Sequence, residues 1–98
     1  MDTQTTREVS MILMTHAINS LVAENAEFAK FVTNSLKRFM MKDWGVQHPE
    51  DKKMNDEDPM TALGCYLNAN EVKIWIKSDY ADEEGKNRVI TVLFPSEY

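Results

Sequence analysis

The residues best equipped for chemistry lie between Lys42 and Pro59, in the stretch "KDWGVQHPEDKKMNDEDP", which holds six carboxylates and one histidine in eighteen positions. Glu50 with Asp51, and Asp56 with Glu57, have the residue types of an acid/base pair for hydrolysis. With His48, the carboxylates Glu50, Asp51 and Asp56 offer the donors of a small metal-dependent hydrolase. A general acid at neutral pH needs a raised pKa, and therefore burial. Lys52, Lys53 and Asn55 make the segment polar and argue against that burial. The same acids left in water would instead oppose a basic surface on a partner protein.

Other chemistries find less support. Cys65 sits between Gly64 and Tyr66 in an apolar stretch with no histidine near it in sequence, as expected of a cysteine packed as a small hydrophobe. A single cysteine leaves no internal disulfide and no cysteine-based zinc site. His16 and His48 fall in no His-x-x-x-His spacing, and no serine lies in a Gly-x-Ser-x-Gly elbow. Counted from Asp79, the acidic run "DYADEEG" puts Glu84 where a calcium loop needs glycine and Ile90 where it needs glutamate. An acidic hairpin loop that keeps a sheet soluble fits it better. Three separated glycines cannot form a phosphate loop. Lys37, Arg38 and Lys42 would serve a DNA-binding regulator, although a basic helix end that balances the helix dipole explains them equally well.

Charge narrows the partners. Residues 1–42 carry four acids against five bases, whereas residues 43–98 carry twelve against six. The second half should not bind a phosphate backbone, so nucleic acid is not the expected partner. Sixteen acids against eleven bases also fall short of a whole-surface DNA mimic, since duplex DNA presents about one negative charge per 1.7 Å. No apolar run reaches the ~18 residues of a membrane helix, and "MDTQTTREVS" has no secretory pattern. The expected setting is the cytoplasm, with no membrane partner and no cofactor.

The positioning elements follow from periodicity. Ninety-eight residues make one domain, with residues 1–6 expected as a free tail. "EVSMILM", Glu8–Met14, reads either as a strand partly buried on both faces or as a first helical turn. Thr15 suits the N-cap of a short helix with Ala17, Ile18, Leu21 and Val22 on its apolar side. Asn25 suits the cap of a second, in which Phe28, Phe31, Val32, Ser35, Leu36, Phe39 and Met40 repeat at helical spacing and which Gly45 should end. Pro49 opens a third, charged helix, limited by Pro59 at about Asp58. The period then falls to two. Residues 62–67, 72–77 and 88–94 read as strands joined too closely for anything but an antiparallel meander. The last strand is apolar on both faces and so internal. The expected fold is α+β, with two to three N-terminal helices on a three- or four-stranded, mainly antiparallel sheet.

Large aromatic groups complete the candidates. Trp44, Trp75 and Tyr98 could pack or could anchor a partner, since tryptophan is favoured at binding hot spots. Asp43-Trp44-Gly45, Glu50-Asp51, Asn55-Asp56, Trp75-Ile76 and the closing Thr91, Leu93, Phe94, Pro95 and Tyr98 together resemble a family of small proteins from plasmids, phages and integrated elements, often labelled plasmid-related. The resemblance spans about residues 9 to 98. It departs at Thr15-His16-Ala17, where members usually have Thr-Pro-Gly-Ala, and at "KRFMMK", where they tend to have a histidine-containing basic helix end. It favours a strand for Glu8–Met14 and implies no catalytic residues. The expected function is a non-enzymatic accessory of a mobile element that binds a host or element protein with a basic surface, with inhibition of a CRISPR nuclease as one concrete form. Its binding residues would be Trp44, Glu50, Asp51, Asp56, Glu57, Trp75 and Tyr98. Edge strands also allow a homodimer.

Overall fold

The computed structural model describes residues 10–98, so the expected tail at residues 1–6 lies outside the described residues. The expected α+β architecture is present. Strand β1 (Ser10–Met14) leads into helices α1 (His16–Glu24), α2 (Ala26–Met40) and α3 (Pro49–Glu57). Strands β2 (Leu63–Leu67), β3 (Lys73–Tyr80) and β4 (Arg88–Leu93) follow, with single 3-10 turns at Pro59–Thr61 and Pro95–Glu97.

The sheet order is β1-β4-β3-β2. The predicted meander forms, with β3 antiparallel to both β2 and β4, and β4 is internal. β1 instead lies parallel to β4, with Ile12 opposite Ile90, so the sheet is mixed. The chain crosses the whole sheet through α1, α2 and α3 between β1 and β2, which frees β1 to approach β4 from its outer side.

Sequence spacing places the core. Phe28, Val32, Ser35 and Phe39 are the buried stripe of α2, and Ile18 is the buried residue of α1. They meet Tyr66, Ile74, Ile76, Ile90 and Val92 on one face of the sheet. Each large aliphatic side chain sealed there contributes roughly 1.5–3 kcal/mol. Both predicted caps form: Thr15 Oγ1 accepts from the Ile18 N–H at 3.3 Å, and Asn25 Oδ1 accepts from the Phe28 N–H at 3.0 Å. Thr15 also donates its hydroxyl to Glu97 Oε1 at 2.9 Å, tying the start of α1 to the last residues of the chain.

The end of α2 differs from expectation. The helix stops at Met40, and Lys42 takes the left-handed conformation with φ of 66°. Gly45, also left-handed at φ 81°, serves a different contact. It forms an isolated bridge with Cys65, where the Val46 N–H donates to the Cys65 carbonyl and the Cys65 N–H donates to the Trp44 carbonyl. Segment 44–46 thereby covers the outer edge of β2. A Cβ on Gly45 would collide with the Cys65 carbonyl oxygen, so only glycine fits there.

Candidate functional site

The stretch from Asp43 to Asp58 builds outward from three fixed points. Asp43 holds Arg38 in a bidentate pair, with Oδ2 to Nε at 2.7 Å and Oδ1 to Nη2 at 3.2 Å, and Oδ1 also accepts from the Gly45 N–H. The Arg38 guanidinium therefore holds the Asp43 carboxyl below the usual carboxylate range, against a smaller upward push from burial. Arg38 itself stacks over the Tyr66 ring, 5.2 Å from its centre. Tyr66 donates its hydroxyl to the Asp43 carbonyl at 2.8 Å, and burial pushes its ionisation well above the ordinary tyrosine value.

Trp44 is the second fixed point. It is 3% exposed and meets Phe39 edge-on at 5.2 Å. Its indole N–H donates to Asp56 Oδ1 at 2.8 Å. The expectation of Trp44 as a partner-facing anchor is corrected by this burial: the ring belongs to the core and joins α2, α3 and the sheet. Asp56 is exposed as a residue but spends one carboxylate oxygen on that indole. Its acidity is thus part of the scaffold.

Asn55 is the third. This buried residue of α3 donates from Nδ2 to the Leu63 carbonyl at 2.9 Å and to Gln47 Oε1 at 3.0 Å, and accepts from the Leu63 N–H at 3.2 Å. Gln47 donates to the same carbonyl. One amide side chain thus mimics a strand neighbour for the first residue of β2. Pro49 starts α3 as predicted; His48 occupies the cap position without a side-chain cap bond and is exposed.

With the inner side of α3 committed, its outer side is left to solvent. Glu50, Asp51 and Glu57 are exposed. At helical spacing Glu50, Lys53 and Glu57 share the stripe opposite Asn55, with Met54 beside it, whereas exposed Asp51, four residues before Asn55, lies on the Asn55 side of the first turn. Among the described residues, no group of three or more His, Cys, Asp or Glu side chains is placed to hold a metal ion. His48 and the carboxylates of Glu50, Asp51 and Asp56 are therefore not gathered into a ligand set.

The remaining candidates lie elsewhere. Trp75 is on the sheet face away from α1 and α2, in a row with Cys65 and Leu93, and Tyr98 meets its ring edge-on at 5.3 Å. The seven sequence candidates thus divide into an acidic group on α3, buried Trp44 bonded to exposed Asp56, and an aromatic pair on the sheet face away from α1 and α2. Cys65 is buried and forms no disulfide, in keeping with a cysteine packed as a small hydrophobe. Asp82 closes the acidic loop on itself, accepting from the Lys86 N–H at 3.1 Å and the Asn87 side chain at 2.7 Å.

One cleft of about 420 Å³ carries no candidate residue; it is floored by Phe28, Phe31 and Val72 and rimmed by Asn25, Asn68 and Asn70. Two of its asparagine oxygens are already spent: Asn25 caps α2, and Asn68 accepts from the Asn70 and Val72 N–H groups. Turn and cap chemistry accounts for that rim.

Comparison with protein-family models, with curated proteins and with solved structures finds no match.

Proposed function

We propose that the protein works by binding another protein, without catalysis of its own, through the acidic outer side of α3. The observation that carries this reading is the way α3 is mounted. Asn55 and Asp56 fasten its inner side to β2 and to Trp44, while Glu50, Asp51 and Glu57 remain in water on a short rigid helix. Charges presented on a fixed element lose little freedom on binding, and an acidic face steers a basic partner toward itself. The resemblance of the 43–58 stretch and the closing "ITVLFPSEY" to plasmid- and phage-borne proteins supports a mobile-element accessory role in the cytoplasm. Inhibition of a host nuclease, whose nucleic-acid channel is basic, is the concrete form of that role.

The binding surface is narrower than the residue list from sequence. Glu50 and Glu57 form it, with exposed Asp51 on the adjoining first turn; Asp56 supports it from behind, and Trp75 with Tyr98 lies on the sheet face away from α1 and α2. Tagged protein used as bait in a lysate of the source cells, at low and high salt, tests the reading by mass spectrometry. A single stoichiometric basic partner retained at low salt and released at high salt is expected. Retention of nothing at low salt would remove the reading.

The rival readings lose particular residues. A hydrolase built on His48 and the nearby carboxylates would need donors gathered at one point. A DNA-binding regulator would need Arg38, whose guanidinium is taken up by Asp43. Thermal unfolding with Mg²⁺, Mn²⁺ or Zn²⁺, and a mobility shift with duplex DNA at low salt, are both expected to show no change.

A further inference from the structure

The two edges of the sheet are treated differently. The outer edge of β2 is covered by residues 44–46. The outer edge of β1 has no strand beside it among the described residues, and β1 exposes apolar side chains on both faces: Met11 is 58% exposed, Ile12 49% and Leu13 46%. Soluble proteins blunt such an edge with a charge, a proline or a bulge. Strand β1, "SMILM", has no charge and no proline, and it pairs with β4 without a break from Ser10 to Met14.

The apolar surface continues around the corner. Met40, near the end of α2, receives a hydrogen bond at its sulfur from Arg88 Nη2 at 3.3 Å, and Arg88 lies opposite Ser10 in the β4–β1 register. Thr33, Leu36, Met40, Met41 and the stem of Lys37 line a mainly apolar groove of about 440 Å³ on that flank, and Met41 is 80% exposed. Edge and groove therefore meet at one corner of the molecule. Methionines on such a surface adapt readily to an apposed apolar group.

We infer that this edge is occupied by a second copy of the chain, with β1 pairing antiparallel to its counterpart about a two-fold axis at Ile12. Three observations favour a copy over a foreign strand. The strand is nearly palindromic in chemistry, so two-fold pairing sets Ile12 against Ile12 and Met11 against Leu13, leaving the three central rows apolar with Ser10 against Met14 at each end. Residues 10–23 form a stretch of fourteen without a single Asp, Glu, Lys or Arg in a chain that is 28% charged. Here two copies of an acidic protein can meet without like charges opposed. The chain's own preceding segment, "MDTQTTREV", supplies only Met1 and Val9 as apolar complement.

A five-residue ladder alone buries less than the ~800 Å² per partner of a standard interface, and the methionine flank adds to it. The expected dimer is concentration-dependent, with one eight-stranded sheet. Because α3 attaches at β2, three strands away, the dimer carries two outward acidic surfaces and a second use for the proposed binding by avidity.

Sedimentation of the full chain from about 1 µM to about 1 mM, the range that separates weak from moderate dimers, tests this together with Ile12→Lys and Ile12→Glu. Far-UV circular dichroism checks that each variant is folded, and Met11→Lys with Leu13→Glu, which face each other in this pairing, replaces the pair if either is not. The expected result is a rise toward twice the 11.3 kDa chain mass, loss of the rise in each variant alone, and its return when the Lys and Glu variants are mixed. Return on mixing requires position 12 to face position 12. A chain that stays monomeric throughout, or a dimer indifferent to both substitutions, overturns the inference. Neither result bears on binding through α3, which the capture experiment reads separately.

Discussion

Asn55 is the residue on which the site most depends. Its carboxamide makes three hydrogen bonds at a buried position, two of them to Leu63. Asn55→Ala would leave the Leu63 N–H without its partner and its carbonyl with Gln47 alone, at a cost of about 1–3 kcal/mol. For a domain near 100 residues that lowers Tm by about 4–8 °C per kcal/mol, readable by thermal unfolding. Asp43 gives a pH-dependent counterpart. Its carboxyl is held below the ordinary range by Arg38, so its contribution is present above the unfolded value near ~3.9 and is lost as pH falls through the lower folded value. Both partners of this pair are about half exposed, which limits Asp43→Asn to at most about 1 kcal/mol at pH 7. Urea unfolding should show the gap between variant and parent closing in acid. The sequence showed Asn55 as a polar residue arguing against burial of its segment, yet it is the buried residue of α3 because its amide finds Leu63 and Gln47. The sequence also left Trp44 open between packing and anchoring a partner, because Asp56 and Phe39, which bury it, are brought to it only by the fold.

Among the elements, α2 was the most legible, since Phe28, Val32, Ser35 and Phe39 keep helical spacing and bury as a stripe. Its stop was not. Gly45 looked like the terminator, but Lys42 takes the left-handed turn and Gly45 is held back for contact with β2. Gly45→Ala should therefore act on the β2 edge rather than on the helix. It combines a left-handed backbone with a clash against the Cys65 carbonyl, and a loss of more than about 2 kcal/mol is expected by urea unfolding, with α2 helicity retained. The ambiguity of β1 has a physical cause, since an edge strand exposed on both faces shows no alternation to read. Arg88 on β4 behaves unlike either. It is buried and, among the described residues, donates only to the Pro59 carbonyl and the Met40 sulfur, pairs with no acid, and leaves its Nε–H without a partner. A buried cation lacking a paired acid costs free energy, so Arg88→Met is expected to be neutral or stabilising in the same unfolding series.

At the scale of the molecule, the fold separates two kinds of surface. The apolar β1 corner and the acidic α3 side lie at opposite ends of a four-stranded sheet. No helix among the described residues is long and apolar enough to cross a membrane. The helices-then-meander plan was readable because the hydrophobic period changes once, near Pro59. The parallel pairing of β1 was not, since it depends on a crossover through three helices. Binding through α3 is the central claim, and its most direct measurement compares three baits side by side in the same lysate. These are the parent chain, Glu50→Gln/Asp51→Asn/Glu57→Gln, and Trp75→Ala, with Tm confirming each fold. The account predicts that the neutralised helix loses the captured basic protein at low salt by at least about tenfold, equivalent to ~1.4 kcal/mol, while Trp75→Ala retains it. Equal capture by the parent and the neutralised helix, or loss only with Trp75→Ala, would contradict it.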